Sequence, residues 1–308
     1  MWNMNQLNCI TSYKEVFNTL VEQTRDYLLD NNLKAMVLGI SGGIDSTIVS
    51  AICHEVNRET GIPLIGRSIP IKNKQEEFGV SKLVGHAFCN DFCECNLYGL
   101  YSSISARFKE LEYDHSLKAY NNTLNYGTTP ISEGNIQARL RMIYLYNLAG
   151  VHEGLVMDTD NLTEHYLGFW TIHGDEGDFN PIGGLWKTEI YGLADYLMEE
   201  YYDDEEKVNA IKHSFDLIPT DGLGISDSDL DQIGAKSYQQ VDLIIKDFLA
   251  HCHEYTTHIE LSHYLKVTKI GETLGIPLDT VKKVLTRVVN SEFKRKKRPI
   301  IIDRELYV

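Results

Sequence analysis

The amino-acid sequence predicts an α/β fold, a doubly wound parallel sheet with a helical C-terminal region. Three observations point there. A helical pattern over residues 13–30 runs into the apolar stretch AMVLGI at 35–40, which reads as a buried strand. The small-residue string SGGIDS follows that strand, then a helical stretch, then a second apolar run. That order is a β-loop-α-β unit, the building block of a parallel sheet. Beyond it, strand-like and helical segments keep alternating, and a doubly wound sheet collects ligands at the carboxyl ends of its strands.

The elements follow in order. Val16, Phe17, Leu20, Val21, Tyr27 and Leu28 fall at helical spacing, and the NNLK turn leads into the first strand. Helical periodicity covers 46–57, Gly61-Ile62-Pro63 breaks it, and LIGRSIP reads as the second strand. Residues 74–87 predict a helix, 88–95 a third strand, 98–111 and 135–150 helices, and 153–158 another strand. Past residue 187 the pattern is mostly helical, with EIYGLADYLMEEYY, VDLIIKDFLAHCHEY and DTVKKVLTRVVNSEF as the clearest periodic segments. Without an internal repeat, a low-complexity linker or a sharp boundary, residues 1–308 read as one domain, its helical part spanning roughly 188–308.

Composition narrows the function. With 43% apolar residues, a chain of 308 can bury a large core. Its net charge of −15, spread along the whole length, argues against a nucleic-acid partner, because a phosphate backbone rewards positive surfaces. The segment TKIGETLGIPLDTVKKVLTR superficially resembles a helix-turn-helix, but a DNA reader needs a basic recognition surface that an acidic chain does not supply. The polar opening MWNMNQLN and the lack of a long apolar run predict a cytoplasmic protein with no membrane segment and reduced thiols. Cys89, Cys93, Cys95 and Cys252, with His251 and His253, lack the paired spacing of a zinc site, so buried thiols and surface histidines are expected.

The chemistry starts at Ser41-Gly42-Gly43-Ile44-Asp45-Ser46. Small residues between a strand and a helix let backbone N–H groups approach an anion at the positive helix end, without the lysine of a Walker loop. The string in this position resembles the phosphate loop of the ATP pyrophosphatase group. From Val156 the chain reads VMDTDNLTEHYLGFWTIHGDEGDFNPIGGLWKTEIYGLADYL, which resembles the signature of the NAD synthetase family within that group. GNIQARLRM at Gly134–Met142 and SEFKRKKRP at Ser291–Pro299 resemble two further signatures of that family, in family order.

The resemblance implies an enzyme that amidates nicotinic acid adenine dinucleotide to NAD with ATP as co-substrate and ammonia as nitrogen donor. The nicotinate carboxylate is first adenylated with release of pyrophosphate, and AMP leaves when ammonia attacks. It also implies ATP binding by Gly39, Ser41, Gly42, Gly43, Asp45, Ser46, Arg141, Thr159, Lys187 and Thr220. Asp45 and Glu164 are the implied Mg²⁺ ligands, hard oxygen donors suited to a cation that bridges phosphates. Asp45 and Lys187 are the implied catalytic pair, the lysine offsetting charge that develops on pyrophosphate. Arg141 is taken as the nucleotide contact and Arg139 as an ion-pair partner, with the reverse assignment open. Lys294 and Arg295 are implied to close over substrate phosphates, and the family's habit is a homodimer with the dinucleotide at the subunit interface.

Some positions depart from the pattern. GDEGDFNPI is one residue shorter than usual, which leaves open whether Asp175 or Asp178 meets the nicotinate, and both are candidate substrate contacts. KNKQEEFGV matches its family counterpart only loosely, and the loop after Pro219-Thr220 is abbreviated. The amidohydrolase domain of glutamine-using relatives has no room before residue 35, so free ammonia, or ammonia from a separate protein, is expected. The competing readings are an ATP pyrophosphatase acting on another carboxylate or carbonyl, and a nucleotide-binding regulator without turnover.

Overall fold

The computed structural model describes residues 10–72, 75–114, 130–219, 228–251 and 257–296. Its first part runs α1 (Tyr13–Asp30), β1 (Met36–Gly39), α2 (Ile44–Thr60), β2 (Leu64–Ser68), α3 (Gln75–Phe88), β3 (Asp91–Glu94), α4 (Tyr98–Asp114), α5 (Pro130–Val151) and β4 (Leu155–Val156). Ser12 caps α1 by accepting from the Glu15 amide at 3.3 Å. Gly61, in the left-handed region at φ 74°, ends α2 where the sequence breaks its periodicity.

The strands are all parallel in the order β3-β2-β1-β4, so β1 is central. Its side chains alternate between two cores. Met36 and Leu38 pack with α1, α2 and α3 through Leu28, Ile48, Ile52 and Val84, whereas Val37 packs with Leu145 and Ala149 of α5. Helices thus cover both faces, which is why the strand reads as a continuous apolar run rather than an alternating one.

The strand expected at 153–158 is short. Past Val156 the chain keeps one more bond to β1, the Met157 amide donating to the Val37 carbonyl at 2.8 Å, and residues 178–179 pair along the opposite edge of β4: the Asp158 amide donates to the Phe179 carbonyl at 2.9 Å, and the Asp178 amide to the Val156 carbonyl at 2.8 Å. Gly177 makes this possible, since a Cβ there would stand 2.8 Å from the Val156 carbonyl oxygen. The GDEGD turn is therefore seated on the end of the sheet.

The second part is helical: α6 (Leu162–Leu167), α7 (Lys187–Glu200), α8 (Glu205–Asp216), α9 (Asp229–Ile233), α10 (Tyr238–Leu249), α11 (His258–Val267), α12 (Ile270–Leu274), α13 (Leu278–Asn290) and α14 (Glu292–Arg295). Helices α7 and α8 complete the first core with Ile190, Leu193, Leu197 and Ile211. The others build a separate core from Val241, Ile244, Phe248, Val284, Leu285 and Val288, with Leu167 of α6 among them. The segment that resembles a helix-turn-helix is α12 and α13, and its apolar stripe is spent on this core. Among the described residues, no helix is long and apolar enough to cross a membrane.

Candidate active site

At the carboxyl end of β1 the chain turns through Gly42, whose φ of 89° lies in the left-handed region that favours glycine. The turn points the start of α2 at a cavity of about 910 Å³. No side chain caps the first amides of α2, so they stay available to an anion beside the positive helix end. The loop is braced from within. Ser41 Oγ accepts from the Gly43 amide at 3.1 Å, and the Ser46 hydroxyl donates to the Gly43 carbonyl at 3.0 Å.

Opposite the loop, α6 and α7 deliver the charged groups. Asn161 and Glu164 form a capping box at the start of α6, each side chain accepting from the other's amide at 3.0–3.1 Å. Lys187 is 2% exposed, and its ammonium donates to Asp45 and to Glu164 Oε1, the latter at 3.3 Å. The Asn161 amide group donates to the other Asp45 oxygen at 2.8 Å.

The electrostatics follow from burial. Burial alone would lower the Lys187 ammonium, but Asp45 and Glu164 hold it well above its ordinary value. Burial pushes the Glu164 carboxyl up to about 7, against the opposite pull of Lys187. Burial also raises Asp158 and Asp160, and repulsion from Asp158 adds to the shift of Asp160. This corner of the cavity carries more acid than base, a setting that favours a cation.

Gly39, Ser41, Gly43, Asp45, Ser46, Arg141, Thr159, Glu164, Asp175, Lys187 and Lys294 all line the one cavity, with Gly42 in the turn between two of them. Thr220 lies outside the described residues. The two aspartates of the shortened turn separate. Asp175 borders the cavity, accepts from the Thr171 amide at 2.7 Å and is pushed up to about 6 by burial. Asp178 lies off the cavity, accepting from the Val156 amide at 3.0 Å and the Tyr146 hydroxyl at 3.2 Å.

The arginines and lysines separate likewise. Arg141 borders the cavity and donates to the Ile69 carbonyl at 3.0 Å, while Arg139 is exposed and donates to the Ile172 carbonyl at 2.9 Å. Lys294 donates to the Gly168 carbonyl at 2.7 Å and to that of Trp170, and burial lowers its ammonium. Arg295 does not line the cavity: its guanidinium donates to the carbonyls of Tyr166 and Val288 and pairs with Glu292. Of the cysteines, Cys53 and Cys89 are pushed up by burial, Cys89 to about 12, and Cys93 stands 3.5 Å from Cys95 between sulfurs. Cys252 and His253 lie outside the described residues.

Three groups at this site escaped the sequence reading. Asn161 had a usable signal, the Asn-x-x-Glu spacing of a capping box with Glu164. Phe169, against which the Arg287 guanidinium stacks at 3.8 Å, carried none beyond its aromatic character. Asp242 showed only as an acid inside the apolar stripe of α10.

The family model and the sequence relatives agree with one another. The family model described as NAD synthase matches residues 16–298. The NH(3)-dependent NAD(+) synthetase of Wolinella succinogenes is 30% identical over 296 residues, spanning 94% of this chain and 96% of that protein. The enzyme of the same name from Methanocaldococcus jannaschii is 27% identical over 286 residues, spanning 92% and 95%. Among solved structures, an NMN synthetase from Francisella tularensis superposes with a TM-score of 0.69 at 24% identity, over 96% of this chain and all (100%) of that one. An NH3-dependent NAD synthetase from Campylobacter jejuni does so with 0.64 at 23% identity, over 95% and 100%. These two likenesses are of fold.

Proposed function

The chain belongs to the NAD synthase family, and from that premise we propose that the cavity adenylates nicotinic acid adenine dinucleotide with ATP and passes the product to ammonia, forming NAD. As an enzyme it is a ligase that forms a C–N bond. One observation carries the assignment of roles: the buried Lys187 joins Glu164 to Asp45 at the uncapped start of α2.

In this reading the β and γ phosphates of ATP lie over the 41–46 loop, and the α2 amides and Lys187 take up the charge that grows on pyrophosphate. The nicotinate carboxylate attacks the α-phosphorus, the bond to pyrophosphate breaks, and a mixed anhydride with AMP forms. Neutral ammonia then adds to the activated carbonyl, loses a proton, and AMP departs. Catalysis rests on positioning and charge, with no covalent enzyme nucleophile.

Asp45 and Glu164 are the residues that would hold Mg²⁺, and their carboxylates already share a cation in Lys187. Among the described residues no group of three or more His, Cys, Asp or Glu could hold a metal. Two carboxylates are what Mg²⁺ asks of a protein when phosphates and water fill its other positions, and its charge would stabilise the leaving group.

Asp175 is assigned to the nicotinate end, because it borders the cavity while Asp178 is occupied with the sheet. A homodimer belongs to the same reading: α5 buries Leu140, Leu145 and Ala149 yet exposes Ile131, Ile143 and Val151, and a helix apolar on both sides calls for a second covering. The cytoplasm suits the free thiols.

The test is direct. Purified protein with ATP, Mg²⁺, the dinucleotide and ammonium is expected to form NAD and pyrophosphate, with no NAD when ATP is omitted. Nicotinic acid mononucleotide in a parallel assay separates the choice of carboxylate from the chemistry. Pyrophosphate without NAD would move the reading to another acceptor, and neither product with any acceptor would favour the regulator. Equilibrium sedimentation tests the dimer.

A further inference from the structure

Asp242 belongs to α10, in the second core, but its carboxylate ties two elements of the phosphate site together. It is 2% exposed. One oxygen accepts from the Thr163 hydroxyl at 2.6 Å, and the other from the Thr188 amide at 3.0 Å. The Thr163 oxygen in turn accepts from the Lys187 amide at 2.8 Å. Thr163 precedes Glu164 and Thr188 follows Lys187, so a single carboxylate sets the start of α6 against the start of α7.

Resting on the reading of the site given above, we infer that Asp242 is a positioning residue for adenylation, holding the Lys187 ammonium in register with Asp45 and Glu164 without touching substrate. A plain helix cap would not need this arrangement. Capping α7 would occupy the Thr188 amide alone, whereas here the second oxygen reaches Thr163, which bridges to the lysine's own backbone. The placement is also costly, because Asp242 interrupts an apolar stripe made by Val241, Ile244, Ile245 and Phe248. Burial raises its carboxyl, and the bonds from Thr163 and Thr188 draw it back. Asparagine has one acceptor oxygen, so it cannot accept from both the Thr163 hydroxyl and the Thr188 amide as the carboxylate does.

The experiment uses the full chain with Asp242→Asn, Thr163→Val, Thr163→Ser and the Asp242→Asn/Thr163→Val double variant. It follows single-turnover pyrophosphate release from ATP and the dinucleotide, together with the dinucleotide KM and Tm. Asp242→Asn and Thr163→Val are each expected to slow release on the order of 10- to 100-fold while the dinucleotide KM holds, as for a misplaced catalytic group. Thr163→Ser, which keeps the hydroxyl, is expected to restore most of the rate. The double variant should be little slower than the slower single one, since both break the same chain of bonds. Undiminished release with only a lower Tm would overturn the positioning role, and so would fully multiplicative losses. Should Asp242→Asn not fold, the contrast between Thr163→Val and Thr163→Ser decides alone. Wild-type protein that releases no pyrophosphate would instead remove the functional reading on which the inference stands.

Discussion

Two lysines mark the two regions of this cavity, and they are held in opposite ways. Lys187, at the start of α7, sits between the carboxylates of Asp45 and Glu164, which raise its ammonium against burial. Lys294, in α14, is held by the carbonyls of Gly168 and Trp170, and burial lowers it. At the α2 end a cation is held by two carboxylates, so a second cation can enter there without stranding the acids. At the C-terminal end a charge is spent on the shape of a loop. The first arrangement suits chemistry that moves phosphates, and the second suits a wall that must keep its form while ligands enter.

Lys187→Met breaks the comparison most severely. It leaves Asp45 and Glu164 facing each other without a cation, so a stability loss of roughly 3–5 kcal/mol is expected in urea unfolding, with pyrophosphate release abolished. Mg²⁺ in the unfolding buffer should return part of that stability. A variant as stable and active as the wild type would mean that Lys187 does not hold the two carboxylates together. Lys294→Met should cost about 2 kcal/mol, the worth of its bonds to carbonyls, and raise the dinucleotide KM more than the ATP KM. The reverse order of the two KM changes would assign the C-terminal wall to ATP.

Asp175→Asn sharpens the contrast through pH. Burial lifts the folded Asp175 carboxyl from 3.8 to about 6, so across that window the folded chain keeps a proton the unfolded chain has lost. Stability from this group is therefore full below the unfolded value and falls as pH rises to about 6. The variant should escape that fall and gain roughly 2 kcal/mol at pH 7, the difference closing in acid. A difference independent of pH would show that the carboxyl does not titrate on its own in the folded chain. Ser46→Ala has the smallest expected effect: loss of the hydroxyl that braces Gly43 should raise the ATP KM about fivefold, near 1 kcal/mol, with the dinucleotide KM unmoved. Equal changes for both ligands would make the loop a general turn.

Much of this was legible in residue order. The first four helix and strand pairs, the loop at 41–46 and the helical second half follow from periodicity and punctuation, because buried strands and amphipathic helices impose local patterns. Several expected boundaries shifted, with α5 starting at Pro130 rather than at 135 and β3 confined to Asp91–Glu94. Helix α2 begins at Ile44 rather than at 46, since its start is set by the turn at Gly42 and not by apolar spacing. Strand β4 spans only two residues, with one further bond to β1 from the Met157 amide, and residues 178–179 pair along its outer edge.

By itself the sequence determined the layer order, the small-residue loop at 41–46, and through its motifs the family to which the chain belongs. Residue types and local spacing suffice for these, because each rests on contacts within a few residues. Only the tertiary structure decided that Asp175 borders the cavity while Asp178 holds β4, and that Lys294 faces inward while Arg295 turns to Tyr166. Only it brought Asp242 to Thr163 and Thr188, the latter a meeting across 54 residues. Adjacent residues of equal charge are indistinguishable in a string. What separates them is which one finds a buried backbone donor or acceptor unpaired in the folded chain, and that depends on elements that approach only after both cores have formed.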